Sequence, residues 1–171
     1  MNDVIYIGSD DSGYDLKLKA IEYLQNNGFE YKDCGSSTLP ARYPYYAAQV
    51  ASAVSTGKAK RGILICGSGI GISIAANKFK GVRASVCTDV LAARLTRSHN
   101  DSNILCMGGH LIGDWQAINI LKIWLNTEYD GGHHEGSLAL ISEMEEYMFN
   151  GKIWAPDPPE SNFTWNLNQR I

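Results

Sequence analysis

A thiol beside a run of glycines is the part of this 171-residue sequence with the most chemistry to offer. In the stretch Gly62 to Asn77, GILICGSGIGISIAAN, the unbroken apolar run Ile63-Leu64-Ile65 reads as a strand buried on both faces, and Cys66 stands where that strand would end. Gly67, Gly69 and Gly71 alternate with Ser68 and Ile70, and Ile72, Ile74, Ala75 and Ala76 continue as a helix. Such a turn bares several backbone N–H groups at a helix N-terminus, which together make a seat for negative charge. A helix N-terminus also favours the thiolate, the form of cysteine that attacks electrophiles or takes up protons. Most core cysteines are merely small hydrophobes. The place of Cys66 at a strand's C-terminal end, where open α/β sheets put their ligands, favours the reactive reading.

The same glycines could instead be the phosphate turn of a dinucleotide site, with Asp89 about 20 residues on as the ribose-binding acid. That pattern wants its third glycine three places after the second, where Ile72 stands, so the spacing argues against it. Asp10 and Asp11 are ordinary as solvated capping residues, yet their place after the first strand also lets them face a site. His99, in Ser98-His99-Asn100-Asp101, is a loop histidine whose ordinary pKa suits it to carry protons near neutrality. His133 and His134 are adjacent, but sequence neighbours seldom point at one ion, and the H-x-x-x-H spacing of a metal site is missing. Cys34, Cys66, Cys87 and Cys106 include no C-x-x-C pair, which argues against a zinc knuckle and a disulfide framework.

The elements that must position these groups follow from periodicity. Val4 to Ile7 is a short apolar strand, followed by a polar loop from Gly8 to Gly13 and a helix with Leu16, Ala20 and Leu24 on one face. Phe29 to Asp33 reads as a second strand, and Gly35 to Pro44 as an irregular loop holding Arg42 and Tyr43. Ala47, Val50, Ala51 and Val54 line a second helix closed by Gly57, and Lys58 to Arg61 form a solvated turn before the central strand. Val82 to Cys87 is a fourth strand, Val90 to Arg97 a helix, and Ile104 to Met107 a fifth strand. A helix with Ile118, Leu121 and Leu125 runs to Asn126, and Leu138, Ile141, Met144 and Met148 mark a last one. Strands alternating with helices predict an α/β, Rossmann-like three-layer sandwich around a five-stranded parallel sheet.

Composition excludes some classes. A hydrophobic share of 44% with a net charge of −3 suits one globular domain, and the basic residues are too scattered for a nucleic-acid partner or an anionic membrane surface. No apolar stretch approaches membrane-spanning length, and no basic segment with an apolar run opens the chain, so the reading is cytoplasmic. From Gly151 the composition shifts to Pro156, Pro158 and Pro159 among asparagines, with Trp154, Phe163 and Trp165 as large apolar anchors. That extension, 151–171, is expected to pack on its own core or on a neighbouring subunit.

Taken together, these residues resemble the ribose-5-phosphate isomerase B and galactose-6-phosphate isomerase family. The match runs through Gly8-Ser9-Asp10 and Gly13, Tyr43-Pro44 with Tyr46, the block from Gly62 to Lys78, Gly81-Val82-Arg83, His99-Asn100-Asp101 with Asn103, and Tyr129-Asp130-Gly131-Gly132. The resemblance makes 1–150 a sugar isomerase domain and implies an aldose-ketose isomerase, built as a homodimer or a dimer of dimers with an active site shared between subunits. By carry-over, Cys66 moves a proton between C1 and C2, Ser68 assists at the substrate oxygens, and His99 opens the sugar ring. Asp10 and Asn100 touch the reacting end, Tyr43 contacts substrate, and the backbone of Gly67, Gly69, Ile70 and Gly71 holds the enediolate oxygen. Pre-aimed donors stabilise such a charge without reorganising. No cofactor, metal or nucleotide is needed for that chemistry.

The departures from the family pattern lie at the far end of the substrate. Where the family grips a phosphate with a histidine and three arginines, this sequence has Asp11, His110, His133 and Ser137. Losing guanidiniums removes bidentate charge-assisted bonds, and Asp11 adds repulsion towards a dianion. The expected ligand is therefore a small sugar lacking the phosphate, or a sugar phosphate held in another register by Arg42, Arg94 or Arg170. A catalytically silent sugar- or anion-binding protein is the reading from a different class.

Overall fold

The computed structural model describes residues 4–35 and 42–151. Trp154, Phe163, Trp165 and Arg170, and with them the expected packing of the extension, lie outside the described residues.

The chain alternates strand and helix: β1 (Ile5–Ser9), α1 (Tyr14–Asn26), β2 (Tyr31–Asp33), α2 (Tyr43–Ser55), β3 (Gly62–Cys66), α3 (Ile70–Ala76), β4 (Ala84–Val86), α4 (Val90–Ser98), β5 (Ile104–Gly108), α5 (Asp114–Asn126) and α6 (His134–Phe149). The strands form one parallel sheet in the order β2-β1-β3-β5-β4. β3 is central, and every residue in it is buried, as the apolar run requires. Ile63 and Ile65 face a cluster with Leu16, Ala20 and Leu24 of α1, Ala93 of α4 and Leu121 and Trp124 of α5. Leu64 and Cys66 face the other way, against Ala47, Val50 and Ala51 of α2 and Ile72 and Ala76 of α3. This period-two partition makes the three layers, and each fully buried aliphatic side chain contributes about 1.5–3 kcal/mol.

The edge strands are shorter than the sequence suggests. Phe29–Asp33 contracts to Tyr31–Asp33 and Val82–Cys87 to Ala84–Val86, because an edge strand has only one neighbour to pair with. Tyr43 and Pro44 belong to the first turn of α2 rather than to a loop, a position where proline's missing N–H costs nothing. Lys58–Arg61 is less solvated than expected: Ala59 is buried, and Arg61 Nη1 donates to Leu125 O at 2.8 Å.

α6 differs from the other long helices in having no buried residue. It is held to the body by Glu145 Oε2, which accepts from Gly81 N at 2.8 Å, and by an ion pair between Lys80 and Glu146. Leu140, Ile141, Met144, Tyr147, Met148 and Phe149 are exposed along it. No helix among the described residues is long and apolar enough to cross a membrane.

Candidate active site

The order of the sheet turns back on itself between β1 and β3, with α1 on one face and α3 on the other, which leaves a crevice at the C-terminal ends of these strands. Register puts Ser9 beside Ile65, and Cys66 beside Gly108. Cys66 is 4% exposed, at the last position of β3, and Gly69 N donates to its Sγ at 3.1 Å. The turn that delivers this amide depends on Gly69, whose φ is +76° and whose added Cβ would stand 2.9 Å from the Met107 carbonyl carbon. Ile70 N donates to Ser68 Oγ at 3.3 Å, so two of the turn's amides are aimed at the thiol and at the serine hydroxyl.

The other thiols are unsuited to chemistry at neutral pH. Burial pushes Cys87 up to about 12 and Cys106 well above the usual thiol range, and burial also raises Cys34.

Several residues converge on the same crevice. Asp10 is 7% exposed, and its Oδ1 accepts from Gly13 N at 3.0 Å. A Cβ on Gly13 would stand 2.5 Å from Ile65 O, so only glycine lets the loop after β1 lie against the end of β3. Burial is the main cause that holds the Asp10 carboxyl above its usual pKa, and neighbouring Asp11 adds to it; the Gly13 amide and the His110 imidazole oppose. His110 N donates to Gly67 O at 2.9 Å, and a Cβ on Gly67 would lie 2.9 Å from His110 Cδ2. The Tyr43 ring comes equally close to Gly71, where an added Cβ would stand 2.9 Å from Cζ. Asp10, Asp11, Tyr43, Cys66 to Gly71 and His110 thus form one group. Asp89 is not part of it, since its carboxylate caps α4 by accepting from Ala92 N at 2.8 Å.

His99, Asn100 and His133 belong to a second group at the opposite end of the sheet, and Ser137 lies in the first turn of α6 just beyond it. α4 runs back along the sheet, and Asn103 O accepts from Gly62 N at the start of β3. The length of β3, about 13 Å at ~3.3 Å per residue, separates that end from Cys66. His99 stacks on His134 with ring centroids 4.3 Å apart, and His134 lies 3.8 Å from His133. The loop from His99 to Asn103 is clamped by Asp101, a non-glycine residue at φ +44°. Its carboxylate accepts from Arg83 Nη2 at 2.7 Å and from Arg97 Nη1 at 2.8 Å, while Arg83 Nε donates to the carbonyls of Asn100 and Asp101. The clamp and His134 were not anticipated from the sequence. The adjacent histidines were the available signal, but only stacking on His99 gives them meaning. No cluster of His, Cys, Asp or Glu suited to a metal ion occurs among the described residues.

A doubly wound sheet with a thiol, a buried carboxyl and an amide-lined turn at its switch point is the architecture of an enzyme that handles small polar substrates. The Ribose/Galactose Isomerase family model matches residues 5–141, and the chain belongs to that family and is an aldose-ketose isomerase. It is 44% identical over 143 residues to ribose-5-phosphate isomerase B of Escherichia coli (strain K12), covering 83% of this chain and 96% of that protein. It is 38% identical over 153 residues to D-erythrulose-4-phosphate isomerase of Pectobacterium atrosepticum, covering 86% and 97%. Among solved structures, ribose-5-phosphate isomerase B of Clostridium thermocellum superposes with a TM-score of 0.82 at 44% identity, covering 84% of this chain and 97% of that one.

Proposed function

We propose that the protein interconverts the aldose and ketose forms of a small sugar, with Cys66 as the base that carries a proton between C1 and C2. The observation that carries this reading is the Gly69 N–H aimed at Cys66 Sγ at the C-terminal end of the central strand. Proton removal beside a carbonyl moves charge onto oxygen, and Ser68 with the remaining turn amides is the nearest set of donors for it. Asp10 sits deep enough to hold a proton longer than a surface carboxylate would, which suits it to a substrate hydroxyl. His99 opens the ring. Because His99 and Asn100 stand at the far end of the sheet from Cys66, a complete site takes them from a second copy of the chain, together with His133 and Ser137. The unburied apolar ridge of α6 supports a pairing of that kind.

The relatives named above act on phosphorylated sugars, while the distal residues here, Asp11, His110, His133 and Ser137, supply no permanent cation. Discrimination in favour of the phosphate ester is accordingly weak at alkaline pH. Turnover of ribose 5-phosphate, free pentoses and free tetroses measured side by side at pH 8 tests this. Free-sugar turnover within about tenfold of the ester's supports it, and efficient use of the ester alone counts against it. Cys66→Ala tests the chemistry: isomerisation drops by at least about 10³-fold while sugar binding persists. Retained turnover in that variant rejects Cys66 as the base.

A further inference from the structure

α5 hides one face and offers the other. Ala117, Ile120, Leu121, Trp124 and Leu125 are buried, while Trp115, in the first turn of the helix, is 83% exposed. Ile118, Asn119 and Lys122 follow Trp115 at the spacing that places side chains on one stripe of a helix. Trp115 stands between two hollows. One, of about 510 Å³, lies between the indole, Val90 of α4 and Ile123; the other, of about 470 Å³, lies between the indole, Ile118 and Tyr23 of α1. A lone exposed apolar side chain needs no explanation, but an indole with a hollow on either side is the form of a ridge that packs against rings.

The chain itself supplies a segment of matching chemistry. Residues 152–171 lie beyond the family match, which ends at residue 141, so the family's reaction gives them no task. From Trp154 to Trp165 the sequence is WAPDPPESNFTW, and Pro156, Pro158 and Pro159 favour a polyproline II course, which loses little entropy on docking. Asp157 and Glu160 are the only charged residues in that segment. Lys122 borders both hollows and Lys19 one of them. Lys19 stands 3.8 Å from Glu22 with both side chains exposed, and Lys122 makes no ion pair among the described residues. Of the acids at the rims, Asp89 caps α4 and Asp114 lies in the first turn of α5. Reach is ample, because the stretch from Gly151 to Trp165 spans up to about 50 Å when extended, against a diameter of about 40 Å for a domain of this length.

We propose that the Trp115 ridge is the docking site of the same chain's C-terminal segment, with Trp154 to Trp165 laid across α5. Its proline and aromatic rings pack against the indole, and Asp157 and Glu160 lie towards Lys122 and Lys19. Tethering holds the segment at an effective concentration in the millimolar range, so contacts too weak to retain a separate partner are sufficient here. The docked segment also braces the loop at 109–113, which carries His110 and leads into α5.

Coupling of the full chain with a water-soluble carbodiimide, which joins a lysine directly to a carboxylate in contact with it, tests the proposal by mass spectrometry of the linked peptides. An equal mixture of isotopically light and heavy chains, refolded together, tells whether both ends of a link belong to one chain. The expected result is Lys122 or Lys19 joined to Asp157 or Glu160 in peptides of a single label. Trp115→Ala keeps every charge and is expected to lower that yield by at least about tenfold, because it removes the aromatic anchor, while Trp115→Phe retains most of it. The Trp115 side chain is exposed, so both variants leave the core untouched, and the link between Lys80 and Glu146 serves as the internal standard. Mixed-label peptides would mean that the ridge takes the segment of another copy, and a yield unchanged in Trp115→Ala would mean that charge alone draws it there. Either result overturns the proposal, as does the absence of any link from the segment to α5 or α1.

Discussion

At the scale of single residues, Asp10 carries a cost in stability that depends on pH. Asp10 is buried, and its folded-state pKa is above the ordinary value, so as pH rises the unfolded chain gives up this proton first. The stability that protonated Asp10 provides is fully present below the ordinary carboxylate pKa, about 3.9, and is lost as pH rises through the folded value. At pH 7 the ionised carboxylate is therefore a net cost. Asp10→Asn keeps an oxygen for the Gly13 amide and removes that cost. Its melting temperature at pH 7 is expected to equal or exceed that of the parent, the difference closing as pH falls towards about 4. Its kcat is expected to fall by at least about tenfold. Thermal melts across pH with matched kinetics check both; a large loss of stability at pH 7 would show that the charge itself holds the loop.

At the scale of elements, what could be read from the sequence and what could not divide along physical lines. β3 was legible because a central parallel strand must be apolar on both faces, and Ile63-Leu64-Ile65 are. The edge strands were over-extended because Phe29 and Val82 are apolar enough to suggest pairing that the neighbouring strand does not reach. Tyr43 was assigned to a loop because Pro44 signals a break, although a first helical turn accepts proline. Cys66, Asp10 and the glycine turn were legible as a group since each follows a strand's C-terminal end. The Asp101 clamp was not, because its partners Arg83 and Arg97 come from β4's approach and α4, and its backbone conformation leaves no mark in residue type beyond an aspartate.

That clamp gives a prediction of its own. Asp101→Asn keeps a residue that tolerates positive φ but removes both ion pairs, and is expected to cost about 1–2 kcal/mol because the carboxylate is partly exposed. Asp101→Gly keeps the backbone freedom and also loses the bonds. Denaturant melts in which the two variants lose similar stability identify the charge as the source, and a far larger loss in Asp101→Asn points to the backbone. Through His99, both are expected to reduce kcat more than they raise KM.

At the scale of the whole molecule, the separation of the two residue groups by the length of β3 governs behaviour. If each site takes Cys66 from one copy and His99 from another, a mixed dimer of Cys66→Ala and His99→Ala has one doubly damaged site and one intact site. Random reassortment makes half of the dimers mixed, so two inactive proteins should regain about a quarter of the parental activity on co-refolding. No recovery, with mixed dimers demonstrated by mass, would mean that both groups serve the same chain's site.

The sheet order has one more consequence, for the time when the chain is being made. β4 precedes β5 in sequence, yet β5 is the strand it pairs with, and β5 in turn needs β3. As the polypeptide leaves the ribosome, residues 84–86 must wait, unpaired, for Ile104–Gly108 to emerge, while β1, β2 and β3 can already associate. Chains stalled before residue 104 should be cut by protease near β4 and spared in the β1–β3 half, and a few further residues of synthesis past Gly108 should end that susceptibility.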